Sequence, residues 1–163
     1  MIKKIISTLF LYLIAVSSTT AQDQSLNETV SWLTKVIKIH SYYSTDIEFR
    51  HSDSVLIVKT RGVIGLTDNY ETAKVKDLIG ITFTSIPNDI DFIEATILCG
   101  KGDCVDLRMK EANNPNSKYT LQKATNLWIP FKGDTPNDIK VRLEKAINHL
   151  IELCGGETLD DTF

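Results

Sequence analysis

The sequence predicts an α+β fold: an N-terminal helix, a strongly bent antiparallel sheet of about seven strands, and a closing C-terminal amphipathic helix. Three observations carry that prediction. Apolar residues recur at helical spacing near both ends of the chain, and between Tyr42 and Phe131 they fall instead into short β-rich runs. Turn residues rather than helices separate those runs. Successive strands with nothing helical between them pair antiparallel, because parallel neighbours need a long crossover.

The first segment reads as one that is removed. Lys3 and Lys4 give a positive start, Ile5 to Val16 are apolar apart from Ser7 and Thr8, and Ser17-Ser18-Thr19-Thr20-Ala21 are small. Charged start, short apolar core and small residues before a cut describe a secretory signal peptide over residues 1–21, cleaved after Ala21. The apolar stretch falls short of the roughly 20 residues of a spanning helix, and no cysteine at the cut offers a lipid anchor. An exported protein, periplasmic or extracellular, is expected. The rest divides into one domain, 22–156, and a disordered tail, 157–163.

Loss of Lys3 and Lys4 leaves 16 Lys and Arg against 21 Asp and Glu, a net charge of −5. Such a balance argues against a nucleic-acid binder, which needs a basic surface to displace counterions. No later stretch is apolar enough to span a bilayer, and 42% hydrophobic residues fit a chain with an ordered core.

In the first helix, Ser25 and Glu28 fit a capping box. Leu26, Val30, Leu33 and Ile37 form one stripe, and the helix ends near His40. Strands are predicted at Ile47–Arg50, Val55–Val58, Tyr70–Val75, Ile79–Phe83, Phe92–Cys99, Val105–Met109 and Leu127–Phe131. Gly62, Gly65, Pro87-Asn88 and Gly100 to Gly102 supply the turns. The last helix is marked by Asp134-Thr135-Pro136 as its N-cap and first turn, and by Gly155-Gly156 as its stop. Ile139, Leu143, Ala146, Ile147, Leu150 and Cys154 line its apolar face, which must be buried against the sheet.

Helix-closed antiparallel strands, with Trp128-Ile-Pro-Phe131 leading into the helix from Ile139 to Ile151, resemble the pleckstrin-homology-like architecture. They are similar in particular to small exported domains of unknown function with that layout. The resemblance covers Ile47 to Cys154 and brings no catalytic string. Lys59-Thr60-Arg61 with Arg50 resemble the basic strand pair with which lipid-binding members meet phosphoinositides. An exported acidic protein has little access to those lipids, so a solvated strand edge is expected there.

Three cysteines in an exported chain invite a disulfide. Cys99 and Cys104 are close in sequence, but strict alternation across a hairpin would put their sulfurs on opposite faces unless Gly102 forms a bulge. Cys154, inward-facing on the last helix, is the alternative partner; Cys99–Cys104 is the favoured candidate. No Cys/His spacing suits zinc, and neither a metal nor another cofactor is expected.

His40, His51 and His149 stand outside any ligand repeat. No Gly-x-Ser-x-Gly elbow and no phosphate-cradling loop occur, so no catalytic residue is assigned. The carboxylates Asp89, Asp91 and Glu94, and Asp160 with Asp161, are expected at the solvated surface. These readings point to a non-catalytic binding or accessory module of the cell envelope. Its partner would be a protein, a glycan or a small ligand, and Trp32, Tyr42, Tyr43 and Trp128 are candidates for the contact surface, although Trp128 lies in an apolar strand suited to core packing. The alternative is a hydrolase whose acid and His149 or His51 meet only in three dimensions.

Overall fold

The computed structural model describes residues 25–63, 67–85, 91–114 and 116–159. The signal segment, Gly65, Pro87-Asn88, Asp89, Asp160 and Asp161 lie outside the described residues. Helix α1 occupies 25–40, ending where the apolar stripe does. Strands follow at β1 (Ser44–Arg50), β2 (Val55–Val63), β3 (Thr67–Lys74), β4 (Leu78–Ser85), β5 (Phe92–Cys99), β6 (Val105–Glu111), β7 (Thr120–Ala124) and β8 (Asn126–Lys132), and helix α2 (Asn137–Leu153) closes the order.

All strand pairs are antiparallel, as expected, but the strands number eight among the described residues and divide into two sheets. One sheet has the order β1-β2-β3-β6-β7 and the other β4-β5-β8. The chain changes sheet at three places, the last at Thr125 between β7 and β8. A 3₁₀ turn, Val75–Asp77, carries it from β3 into β4. The segment around Gly100 to Gly102 then carries it back from β5 to β6. The predicted β5–β6 hairpin is therefore absent: Leu78 to Ser85 and Leu127 to Phe131 flank β5 instead.

This crossing settles the cysteines. Cys99 and Cys104 form a disulfide with Cα atoms 5.7 Å apart, and Cys154 stays free. The objection from alternation assumed a ladder between the two strands, and without a ladder it lapses. The disulfide staples the point where the chain passes between sheets, with Gly100 N–H donating to the Asp77 carbonyl at 2.9 Å beside it.

β7 has no counterpart in the sequence prediction. Thr120-Leu121-Gln122-Lys123-Ala124 has little apolar content and is exposed nearly throughout. Only its ladder with β6, from Val105↔Ala124 to Met109↔Thr120, makes it a strand. Tertiary pairing overrides local preference there.

The inward residues of both sheets meet both helices in one core. Phe49, Leu56, Val58, Ile97, Val105, Leu127, Ile129 and Phe131 pack with Leu33 and Ile37 of α1 and with Leu143, Ile147, Leu150 and Ile151 of α2. The predicted stripe of α2 is thus the buried one, with Ile139, Ala146 and Cys154 at its margin. Its start differs from the prediction. Pro136 is the N-cap without a side-chain hydrogen bond, and the Thr135 hydroxyl is buried with no partner among the described residues. Its stop follows the prediction: Gly155, at φ 77°, donates to the Glu152 carbonyl and Gly156 to that of Ile151. These are the two bonds of a Schellman motif. A Cβ on Gly156 would lie 2.6 Å from Ile151 Cγ2 and 3.1 Å from the Lys76 backbone, so this close seat admits only glycine without displacement.

Candidate functional site

Along β8, Leu127, Ile129 and Phe131 are fully buried, so the side chain between the first two points the other way. Trp128 is therefore not a core residue. It lies on the outer face of the three-stranded sheet, opposite Thr96 of β5, and its indole Nε1–H donates to Glu94 Oε1 at 3.2 Å. Strict period-two reading of Leu127, Ile129 and Phe131 carries this signal in the sequence.

Other rings extend the same patch. The link from α1 to β1 is pinned beside β8 by an isolated bridge between Ser41 and Phe131 and by the Tyr42 N–H, which donates to the Pro130 carbonyl at 2.9 Å. That pinning sets the Tyr42 ring 5.1 Å from Tyr43 and 5.6 Å from Phe92. The Tyr43 ring in turn lies 6.4 Å from Trp128. Such separations are those of interacting aromatic pairs. Tyr42 is 45% exposed, and the other three rings are half-buried. Together they make an aromatic ledge with the Glu94 carboxylate at its edge.

Behind the ledge stands a buried acid. Glu71 faces inward from β3, is 3% exposed, and its Oε2 accepts the backbone N–H of Trp128 at 2.8 Å. Burial pushes its carboxyl up to about 7, while the Trp128 N–H opposes the shift. Thr45, Thr60 and Asn69 share that inner face: Thr45 pairs with Thr60, Thr60 pairs with Asn69, and Asn69 lies two residues before Glu71. The two threonine hydroxyls meet at 3.4 Å, and Asn69 Oδ1 is buried with no partner among the described residues. Trp128 is thus held twice, by Glu71 at its backbone and by Glu94 at its indole. Neither role is visible in a linear sequence, since Glu71 and Trp128 are 57 positions apart.

A second concavity lies between the antiparallel helices. Glu28, Thr29 and Trp32 of α1 and Arg142, Ala146 and His149 of α2 line a groove of about 490 Å³. The Arg142 guanidinium lies 5.0 Å from the centre of the Trp32 ring, a cation–π contact. Ser25 is already helical, and its hydroxyl meets His149 Nε2 at 2.9 Å. His149 Nδ1 lies 4.0 Å from Glu152. His149 is thus half-exposed, with Ser25 and Glu152 beside it. Among the described residues His51 makes a ring contact, at 4.8 Å, with Phe49.

The basic residues of β1 and β2 are each matched by an acid. Arg50 pairs with Asp53 at 2.7 Å, Lys59 with Glu48, and Arg61 with Asp46 at 3.9 Å. Hydrogen bonding to Asp53 raises the Arg50 guanidinium, and the same bond lowers the Asp53 carboxyl. Pairs this exposed describe a solvated face, with no cation held ready for phosphate. Of the carboxylates expected at the surface, Glu94 is instead engaged by Trp128. Burial pushes the Cys154 thiol up, the direction of an inert cysteine. Among the described residues no helix is long and apolar enough to cross a membrane, and no cluster of three His, Cys, Asp or Glu side chains could hold a metal. Comparison with protein-family models, curated proteins and solved structures finds no match for the chain.

Proposed function

We propose that this chain is an exported, non-catalytic binding module of the cell envelope, and that its ligand lies on the ledge formed by Tyr42, Tyr43, Phe92 and Trp128. The observation that carries the reading is the double anchoring of Trp128, which spends two carboxylates on fixing one half-exposed indole. A rigid aromatic surface loses little conformational entropy on binding. Rings beside the Glu94 carboxylate and the Thr82 and Thr96 hydroxyls suit a sugar residue, which has an apolar C–H face and a hydroxyl edge. The pleckstrin-homology-like resemblance belongs to the same proposal. Consecutive antiparallel strands closed by α2 support it, and the division into two sheets is its departure.

Soluble oligosaccharides titrated against Trp128 fluorescence, in a Trp32→Phe background, test the ledge. Trp128→Ala, which removes the reporter ring and is therefore followed by titration calorimetry, is expected to cost about 2 kcal/mol of binding, roughly a thirtyfold loss. No response from any oligosaccharide at millimolar concentration would retire the sugar reading.

The contact of Ser25 with His149 favours a second reading, a serine hydrolase acting in the helix groove. Its geometry is incomplete. The 4.0 Å gap to Glu152 exceeds a hydrogen bond, so the imidazole lacks the fixed tautomer that a triad requires. A fluorophosphonate probe decides the matter: covalent labelling of Ser25, lost in Ser25→Ala, would establish the hydrolase, and an unlabelled wild-type protein would exclude it.

A further inference from the structure

A sheet edge presents unpaired backbone N–H and C=O groups, and proteins cover or guard such edges. Of the four edges formed by the described strands, three have partners. The edge of β1 meets α1, where the Thr34 hydroxyl reaches the Ile47 carbonyl at 3.5 Å. On β4, the Ile79 carbonyl accepts the Leu159 N–H at 2.9 Å. The edge of β8 is met by the Tyr42 N–H and by the Glu71 carboxylate. β7 is different, because it pairs with β6 on one side and with no described strand on the other.

Its side chains do not guard that open side. Lys123, the residue type that ordinarily blunts an edge, turns back onto β6 and bonds Asp106 at 2.6 Å. Lys110 folds over the Tyr119 ring, 5.4 Å from its centre. Leu121 is 64% and Tyr119 54% exposed, two apolar anchors beside a bare ladder. Arg108 stands opposite Leu121, and both it and Lys118 are exposed and in no ion pair among the described residues. This end of an acidic protein is therefore locally basic.

We infer that β7 is a docking edge for an extended, acidic polypeptide segment of another protein, which adds to the five-stranded sheet as a sixth strand. Main-chain pairing supplies the affinity, as in other strand-addition complexes. Leu121 and Tyr119 receive an apolar side chain at alternate positions, and Arg108 and Lys118 select for carboxylates. A second copy of the chain fits less well, since pairing β7 with β7 would bring the same cations together.

The test uses a capped heptapeptide of alternating valine and glutamate as the probe, with amide hydrogen exchange as the readout. Slowed exchange confined to β7 and its β6 neighbours is expected. Neither the same peptide with methylated backbone nitrogens nor an alternating valine–lysine peptide should produce it. Arg108→Glu, an exposed change that leaves the melting temperature in place, is expected to weaken binding about tenfold. Absence of protection in β7 at millimolar probe overturns the inference. So does equal binding of the methylated peptide, which would reduce the effect to charge attraction. Protection without peptide, accompanied by a dimer in sedimentation, overturns it in favour of a second copy.

Discussion

Glu71→Gln is expected to stabilise the protein by about 3 kcal/mol at pH 8 and to have almost no effect at pH 4. The folded carboxyl titrates near 7 and the unfolded one near 4.5. Between those values the folded protein holds a proton that the unfolded chain has released. Raising the pH therefore favours unfolding across that interval, and the loss levels off above about 7, once both states are ionised. Its cause is the burial of a charge away from water, with one N–H bond from Trp128 in partial compensation. Glutamine keeps an acceptor for that N–H and cannot ionise. For a domain of this size the gain corresponds to roughly 10 °C in melting temperature at alkaline pH. Thermal melts of both proteins from pH 4 to pH 8 check it, and parallel curves would show that the Glu71 pocket is wetter than the geometry indicates. Comparison of Glu71→Gln with Glu71→Ala separates charge from support: only alanine also leaves the Trp128 N–H unsatisfied, at about 1–3 kcal/mol.

Such a residue is what a sequence hides. The strands carried by alternating or continuous apolar runs, such as Phe92 to Cys99 and Leu127 to Phe131, are legible because burial writes itself into the pattern. Both helices are legible for the same reason. The split into two sheets is not, because it depends on which strands flank β5, a choice made by non-local contacts. β7 is invisible for want of any apolar period, existing only through its ladder with β6. At the site, the ring types at Tyr42, Tyr43 and Trp128 could be named beforehand. Their convergence could not, since it rests on the Ser41–Phe131 bridge and on a carboxylate reaching across from the other sheet. Glu71 sits in β3, whose first four residues are all half-buried and give no alternation to betray an inward acid.

The closing helix offers the other large effect. Leu150→Ala is expected to destabilise by about 3 kcal/mol, whereas Val141→Ala in the same helix should change stability by less than about 0.5 kcal/mol. Alanine is the best helix former, so neither change weakens α2 as an isolated helix. Any loss must then come from what the side chain touched. Leu150 is fully buried among the strands and α1, and shortening it leaves a cavity that a close-packed core fills only in part. Val141 is 42% exposed and leaves none. Urea midpoints of the two variants measure the contrast. Equal midpoints would mean that α2 does not hold the two sheets together, and the groove it forms with α1 would lose its rigid wall. A large difference makes α2 a buried support of the core, the same element whose His149 joins it directly to α1 through Ser25.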